Sequence, residues 1–327
     1  MPVCKGDRVK PTISKIKIGI SACLLGEKVR FDGGHKRDAY ITDILGPFVT
    51  FVPVCPEVEI GLGTPRETLC LVRRADEIHL VAQKSGADHT EKMNAYARHK
   101  VEELTRLHLS GYILKKGSPS CGMERVRIYD ENNVPAMTGR GLFATVLLEQ
   151  IPQLPVEEEG RLQDLRLREN FVERVFAYRR LRDFFASPWK MGDLVRFHTA
   201  EKFLVLAHDA AAYEKLGRLV AGAKGAPRNE FSAQYEEIYM TALTKIATTR
   251  RQANVLQHLG GYLKDLLGPE DKKELAGVIE DYRSGLVPLI VPLTLIRHYV
   301  RVHCVAYLEG QYYLEPHPKE LMLRNHV

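Results

Sequence analysis

Cysteine is scarce in this chain, with six in 327 residues. That is too few for a disulfide scaffold and predicts reduced thiols, open to packing, metal binding or catalysis in the cytoplasm. Long hydrophobic runs are missing too. The most apolar stretch, residues 286–296, carries Pro288 and Pro292 and falls short of the roughly 20 residues a membrane-spanning helix needs. The opening MPVCKGDRVK lacks the apolar core of a secretory signal. No sign of charge dominates: Lys and Arg number 22 against 18 acids up to residue 150, and 25 against 23 beyond it, for a formal net charge of +6. Neither half is a polycationic tail, so a nucleic-acid partner would need a local basic surface. Internal repeats and low-complexity tracts are absent.

What is present is the composition of a globular chain, 45% hydrophobic and 27% charged, of a length that predicts about two domains. In the first half, short β-branched runs alternate with helical stretches. Residues 16–20 and 48–54 read as strands, 101–109 as a helix tail, 111–115 as a further strand, and 139–148 as the opening of a helix. This order predicts an α/β domain with a mainly parallel, Rossmann-like sheet over residues 1–150. The stretch 151–162, with Pro152, Pro155 and a run of acids, reads as a linker. Beyond it strand signals nearly vanish, and residues 163–327 read as an all-α domain.

Cys23, Cys55 and Cys121 each follow a predicted strand, and each has Pro or Gly close by. In an open parallel sheet, ligands bind outside the carboxyl ends of the strands, so three such thiols can meet at one place. Cys4, Cys70 and Cys304 read as packing, because buried cysteine is usually inert. No CxxC pair is present, which disfavours a zinc ribbon or a thioredoxin-like site. Three soft ligands suit zinc with an open position or an iron–sulfur cluster with one iron lacking a protein ligand, and spacing does not choose between them. Glu57, two residues after Cys55, is placed to act as a general base on water, and Ser118 to offer a hydroxyl to substrate. The competing readings are a solvated Glu and a turn-capping Ser.

The segments Ser21-Ala-Cys-Leu-Leu-Gly26, Val29-Arg-Phe-Asp-Gly-Gly34, Cys55-Pro-Glu57, Gly63-Thr-Pro-Arg-Glu67 and Ser118-Pro-Ser-Cys-Gly122 together resemble the thiouracil desulfurase (TudS-like) family. The resemblance implies a [4Fe–4S] cluster held by Cys23, Cys55 and Cys121, a catalytic acid/base at Glu57 and a substrate-side serine at Ser118. The second half resembles the helical YbgA-like family through Phe197-His-Thr-Ala-Glu-Lys202, Asn254-Val-Leu-Gln-His258, Gly260-Gly-Tyr262 and Pro288-Leu-Ile-Val-Pro292. The pairing of the two is similar to desulfidases of the RudS type, which implies 4-thiouridine in transfer RNA as substrate.

The function so implied is non-redox desulfuration of 4-thiouridine to uridine with release of hydrosulfide. Two alternatives stand beside it: desulfuration of a free thiolated pyrimidine base, and a non-catalytic iron–sulfur or zinc regulator that binds nucleic acid. In the helical half, Arg179, Arg180, Arg250 and Arg251 are candidates for phosphate contacts, and Tyr235, Tyr239 and Tyr262 for base stacking. Interleaved acids such as Asp183 allow the arginine run to be a salt-bridged face instead.

Overall fold

The computed structural model describes residues 16–326, which fall into two compact units, 16–164 and 165–326. The first runs β1 (Ile16–Ser21), β2 (Val49–Val54), α1 (Pro56–Glu59), β3 (Leu69–Arg74), β4 (Glu77–Ala82), α2 (Thr90–Arg106), β5 (Gly111–Leu114), β6 (Val126–Tyr129), β7 (Pro135–Gly139), α3 (Leu142–Gln150) and β8 (Val156–Glu158). One sheet is all parallel, in the order β2-β1-β5-β8. Its inner strands are largely buried: Ile16, Ile18 and Ile20 line one face of β1, and Tyr112, Ile113 and Leu114 fill both faces of β5. That is the signature of a parallel strand covered by helices. Gly19 lets β1 and Tyr112 approach, since a Cβ there would lie 2.3 Å from the tyrosine ring.

The register Ser21↔Val54 between β1 and β2, with Ile20↔Ile113 between β1 and β5, ends all three strands at one edge. This edge positions the site.

A second, mixed sheet has the order β4-β3-β6-β7 and was not expected from sequence. Its strands are short and half-exposed, with Arg73, Arg74 and Arg127 breaking the apolar pattern. The stretch expected as a linker also differs. It contains β8, which pairs with β5 and buries Glu157 and Glu158, and the unit boundary falls at residues 164 and 165. Two features signalled a linker, prolines and acids. They are accommodated at the sheet's edge because Arg161 pairs with Glu157 at 2.7 Å and the Met123 amide donates to Glu158 at 2.8 Å.

The second unit is helical, from α4 (Leu165–Ala186) through α5 (Met191–His208), α6 (Ala210–Ala221), α7 (Arg228–Thr244), α8 (Thr249–Gly261), α9 (Pro269–Arg283) and α10 (Ile290–Val302) to α11 (Ala306–Glu309). Asp209 separates α5 from α6 and caps α6, its carboxylate accepting from the Ala211 amide at 3.0 Å. Among the described residues no helix is long and apolar enough to cross a membrane.

Candidate active site

Cys23 lies in the single tight turn Ala22–Leu25 that follows β1, closed by Gly26 in the left-handed region at φ 99°. Cys55 follows β2 directly and caps α1, whose first residue is Pro56, the position where a missing N–H costs nothing. Cys121 lies in the turn after β5. The Ser118 hydroxyl accepts from the backbone N–H groups of Ser120 (3.2 Å) and Cys121 (3.1 Å) and so shapes that turn. Gly122 is required there, because a Cβ would sit 2.3 Å from Val126 Cγ2. All three thiols line one cavity of about 710 Å3, as the strand-end argument expects.

Glu57 faces the same cavity and has both carboxylate oxygens engaged. Arg66 donates to Oε2 through Nε at 3.0 Å and through Nη2, and its Nη1 donates to the carbonyls of Val29 (2.9 Å) and Gly63 (3.0 Å). On the other side Ser120 Oγ donates to Oε1 at 3.0 Å and Ser118 Oγ reaches it at 3.4 Å. Ser118 lines the cavity, whereas Ser120 is fully buried behind it. Sequence reasoning missed Arg66, which appeared only inside a motif; an arginine in a loop of a cysteine-lined site was the available signal.

Burial pushes the Cys23 thiol up to about 11, with Lys115 opposing and Cys55 adding to the shift. It also raises Cys55, and raises Cys121 strongly, where Glu57, Cys55 and Cys23 contribute in the same direction. Burial disfavours the thiolate at each of the three, and a cation beside them would oppose that shift. A trio of soft donors on one cavity wall fits a thiophilic metal group. Among the described residues, no three His, Cys, Asp or Glu side chains are grouped as ligands of a single ion. Cys70, expected as packing, also lines the cavity, its Sγ 3.6 Å from the Val81 carbonyl. Cys4 lies outside the described residues. Cys304 lies in the turn after α10, its Sγ 3.8 Å from the Arg301 carbonyl.

In the helical unit the candidate RNA contacts divide. Arg180 is a correction: its guanidinium pairs with the fully buried Glu201 at 2.6 Å and 3.0 Å, donates to the Pro316 carbonyl and covers the Tyr312 ring. It is committed to the interior and not presented to a phosphate. Tyr235 and Tyr239 are buried, so they do not offer stacking faces. Arg179 pairs with Asp183 at 2.7 Å. Arg250 and Arg251 open α8 at the surface, Arg251 donating to the His208 carbonyl at 2.9 Å. Tyr262 is 44% exposed and stacks on Tyr307 at 4.9 Å between centroids.

Comparison with known proteins divides the chain in the same way. Residues 18–159 match the family model described as 2-thiouracil desulfurase, and residues 202–318 match that of a protein family of unknown function, DUF1722. The uncharacterized protein YbgA of Escherichia coli is 33% identical over 153 residues, 46% of this chain and 90% of the relative. The uncharacterized protein YbbK of Bacillus subtilis is 32% identical over 134 residues, 39% of this chain and 87% of the relative. Among solved structures, a [4Fe-4S]-dependent thiouracil desulfidase, TudS, is 35% identical, with 46% of this chain and 95% of that one covered and a TM-score of 0.38. The chain thus belongs to the 2-thiouracil desulfurase family through its α/β unit and to the DUF1722 family through its helical unit.

Proposed function

We propose that the chain is an iron–sulfur-dependent desulfidase that replaces the sulfur of a thiolated pyrimidine by oxygen and releases hydrosulfide. The observation that carries this reading is the meeting of Cys23, Cys55, Cys121 and Glu57 on one cavity, in a unit of the 2-thiouracil desulfurase family. Cys23, Cys55 and Cys121 would hold a [4Fe–4S] cluster as thiolates. When bound, the cluster supplies a soft Lewis-acidic iron with an open position, which favours a thiocarbonyl sulfur over a carbonyl oxygen.

The protein's own groups manage water and protons. Glu57 takes a proton from a water as its oxygen attacks the ring carbon bearing sulfur. Arg66 fixes Oε2, so Oε1, beside the Ser118 and Ser120 hydroxyls, is the proton-accepting atom. Ser118, the hydroxyl on the cavity side, orients the ring. The carbon–sulfur bond then breaks as the adduct's hydroxyl gives its proton to solvent and becomes the carbonyl, and Glu57 returns the proton it took to sulfur. Water is consumed and hydrosulfide leaves, with no electron gained or lost.

The substrate proposed is 4-thiouridine in transfer RNA, with Arg250, Arg251 and the Tyr262–Tyr307 pair of the helical unit as its RNA-facing groups. A second reading, a free thiolated base such as 2-thiouracil, is favoured by the family to which the α/β unit belongs. Anaerobic incubation of iron-loaded protein with thiolated transfer RNA and, separately, with 2-thiouracil tests both. Loss of 4-thiouridine on nucleoside analysis supports the first, turnover of the free base alone supports the second, and no hydrosulfide from either refutes the enzyme.

A further inference from the structure

The helical unit has a cavity of its own, of about 320 Å3, among α4, the end of α5, the first turn of α8 and the C-terminal residues 324–326. The two carboxylates on its wall are fully engaged. Glu173 accepts from Arg324 and lies 3.2 Å from His208 Nε2; Glu169 accepts from Arg324 at 3.3 Å and lies 2.9 Å from His326 Nε2. The two amides on the wall are only half engaged, although Asn170 is 7% and Gln252 5% exposed. Asn170 Nδ2 donates to the Leu243 carbonyl at 2.8 Å, and Gln252 Oε1 accepts from the Tyr313 hydroxyl at 2.5 Å. Their other ends, Asn170 Oδ1 and Gln252 Nε2, have no hydrogen-bond partner among the described residues and open onto the cavity. Buried polar groups are rarely left so. The start of α8 adds positive potential. Thr248 caps the helix, its hydroxyl accepting from the Arg251 amide at 3.4 Å, while the N–H groups of Thr249 and Arg250 have no acceptor within the helix. Both residues line the cavity, and for the exposed Arg250 guanidinium no carboxylate lies within ion-pair distance among the described residues. A helix start with a cation beside it attracts an oxyanion.

We propose that this cavity is a second ligand site, which takes a small phosphate ester: the phosphate on the α8 N–H groups and Arg250, and the hydroxyl-bearing body against Asn170 Oδ1 and Gln252 Nε2. A hydroxyl satisfies both amides, since it donates to the first and accepts from the second. The volume is at the small end of ligand cavities and suits a sugar phosphate. Every residue of the site belongs to the helical unit, so the inference goes beyond the desulfidase reading and does not depend on it. The shared chemistry is a phosphate monoester on a ribose, whether it is a free sugar phosphate or the 5′ end of an RNA strand.

Calorimetric titration of the full chain with ribose, ribose 5-phosphate and inorganic phosphate tests the site without turnover. The expected result is that ribose 5-phosphate binds roughly ten- to a hundredfold more tightly than ribose, the scale of hydrogen bonds to charged groups. It should also bind more tightly than inorganic phosphate, which lacks the hydroxyl-bearing body. Arg250→Glu, a change at the surface, should reduce the preference over ribose to near one, and Asn170→Leu should bring ribose 5-phosphate down to the level of inorganic phosphate. Because Asn170→Leu also removes the bond to Leu243, amide hydrogen exchange of the wild-type chain is measured alongside, and bound ribose 5-phosphate should slow it at residues 249 and 250. A 5′-phosphorylated RNA oligonucleotide that displaces ribose 5-phosphate, and ceases to do so once dephosphorylated, marks an RNA end; ribose 5-phosphate binding alone marks a free sugar phosphate. Equal binding of ribose and its phosphate, no binding of any phosphorylated probe, an undiminished preference in Arg250→Glu, or unchanged exchange at residues 249 and 250 would overturn the site.

Discussion

Replacing Glu57 by Gln keeps the shape of the side chain and removes its charge, and the structure predicts two separable losses. The first is chemical. An amide does not take the proton from water, and losing a positioned general base slows turnover by about 10²- to 10⁴-fold. The second is structural. Glu57 and Arg66 side chains are only 15% and 6% exposed, and removing one partner from such a pair costs about 3–5 kcal/mol. Arg66 keeps the Val29 and Gly63 carbonyls as acceptors, and the Gln oxygen still accepts one N–H. The cost is therefore at the lower end, about 3 kcal/mol, or roughly 6–12 °C in melting temperature for a unit of this size. Arg66→Gln should cost a similar amount, and the double variant less than the sum, because the two side chains share one interaction. The assays are hydrosulfide release at saturating 2-thiouracil, iron content and thermal unfolding by circular dichroism. Iron content should stay at the wild-type level in Glu57→Gln. Turnover close to wild type would refute the base assignment, and additive single and double costs would refute the clamp.

Cys23→Ala, Cys55→Ala and Cys121→Ala should each lose bound iron, while Cys70→Ala, on the same cavity wall, should retain it; full iron in Cys121→Ala would contradict the ligand set. His198 predicts an acid-sensitive helical unit. Burial, helped by Lys202, pushes it down to about 4 from 6.5, so its neutral form stabilises the fold above pH 6.5 and up to about 3 kcal/mol is lost as pH falls to 4. Urea midpoints against pH should show this limb, and His198→Gln should flatten it. Arg180→Ala should destabilise the helical unit by about 3–5 kcal/mol by stranding the buried Glu201; a melting temperature within a degree of wild type would contradict the buried pair. Activity on thiolated transfer RNA should fall steeply with salt while activity on a free base barely responds, because phosphate contacts release counterions; parallel salt curves would remove the RNA contacts from the account.

The parts of the fold that were legible in sequence are the strands with the strongest apolar pattern. β1, β2 and β5 are dominated by apolar residues, interrupted at Lys17 and Thr50, and the turns after them carry Gly or Pro, so their carboxyl ends and the three thiols there were readable. The second sheet was not, because Arg73 and Arg74 sit on β3 and Arg127 on β6, and half-exposed strands give no continuous run. Cys70 looked like packing for the same reason: nothing local says that β3 borders the cavity. The arginine run on α4 was ambiguous in another way. Asp183 lies four residues after Arg179 and was visible as a partner, but Glu201, which claims Arg180, lies 21 residues away on α5. Ser118 and Glu57 were singled out by their sequence distance to cysteines, while Arg66 meets Glu57 only through the loop that follows α1.

Oxygen-18 water provides the most direct test of the central claim, that water oxygen replaces sulfur at the three-cysteine cavity without redox chemistry. Iron-loaded protein is incubated anaerobically with a thiolated pyrimidine in labelled water, with no reductant or oxidant added, and product and hydrosulfide are measured together. The account predicts label in the new carbonyl and hydrosulfide equal to product. An unlabelled carbonyl, or turnover that starts only when a reductant or oxidant is supplied, would contradict it.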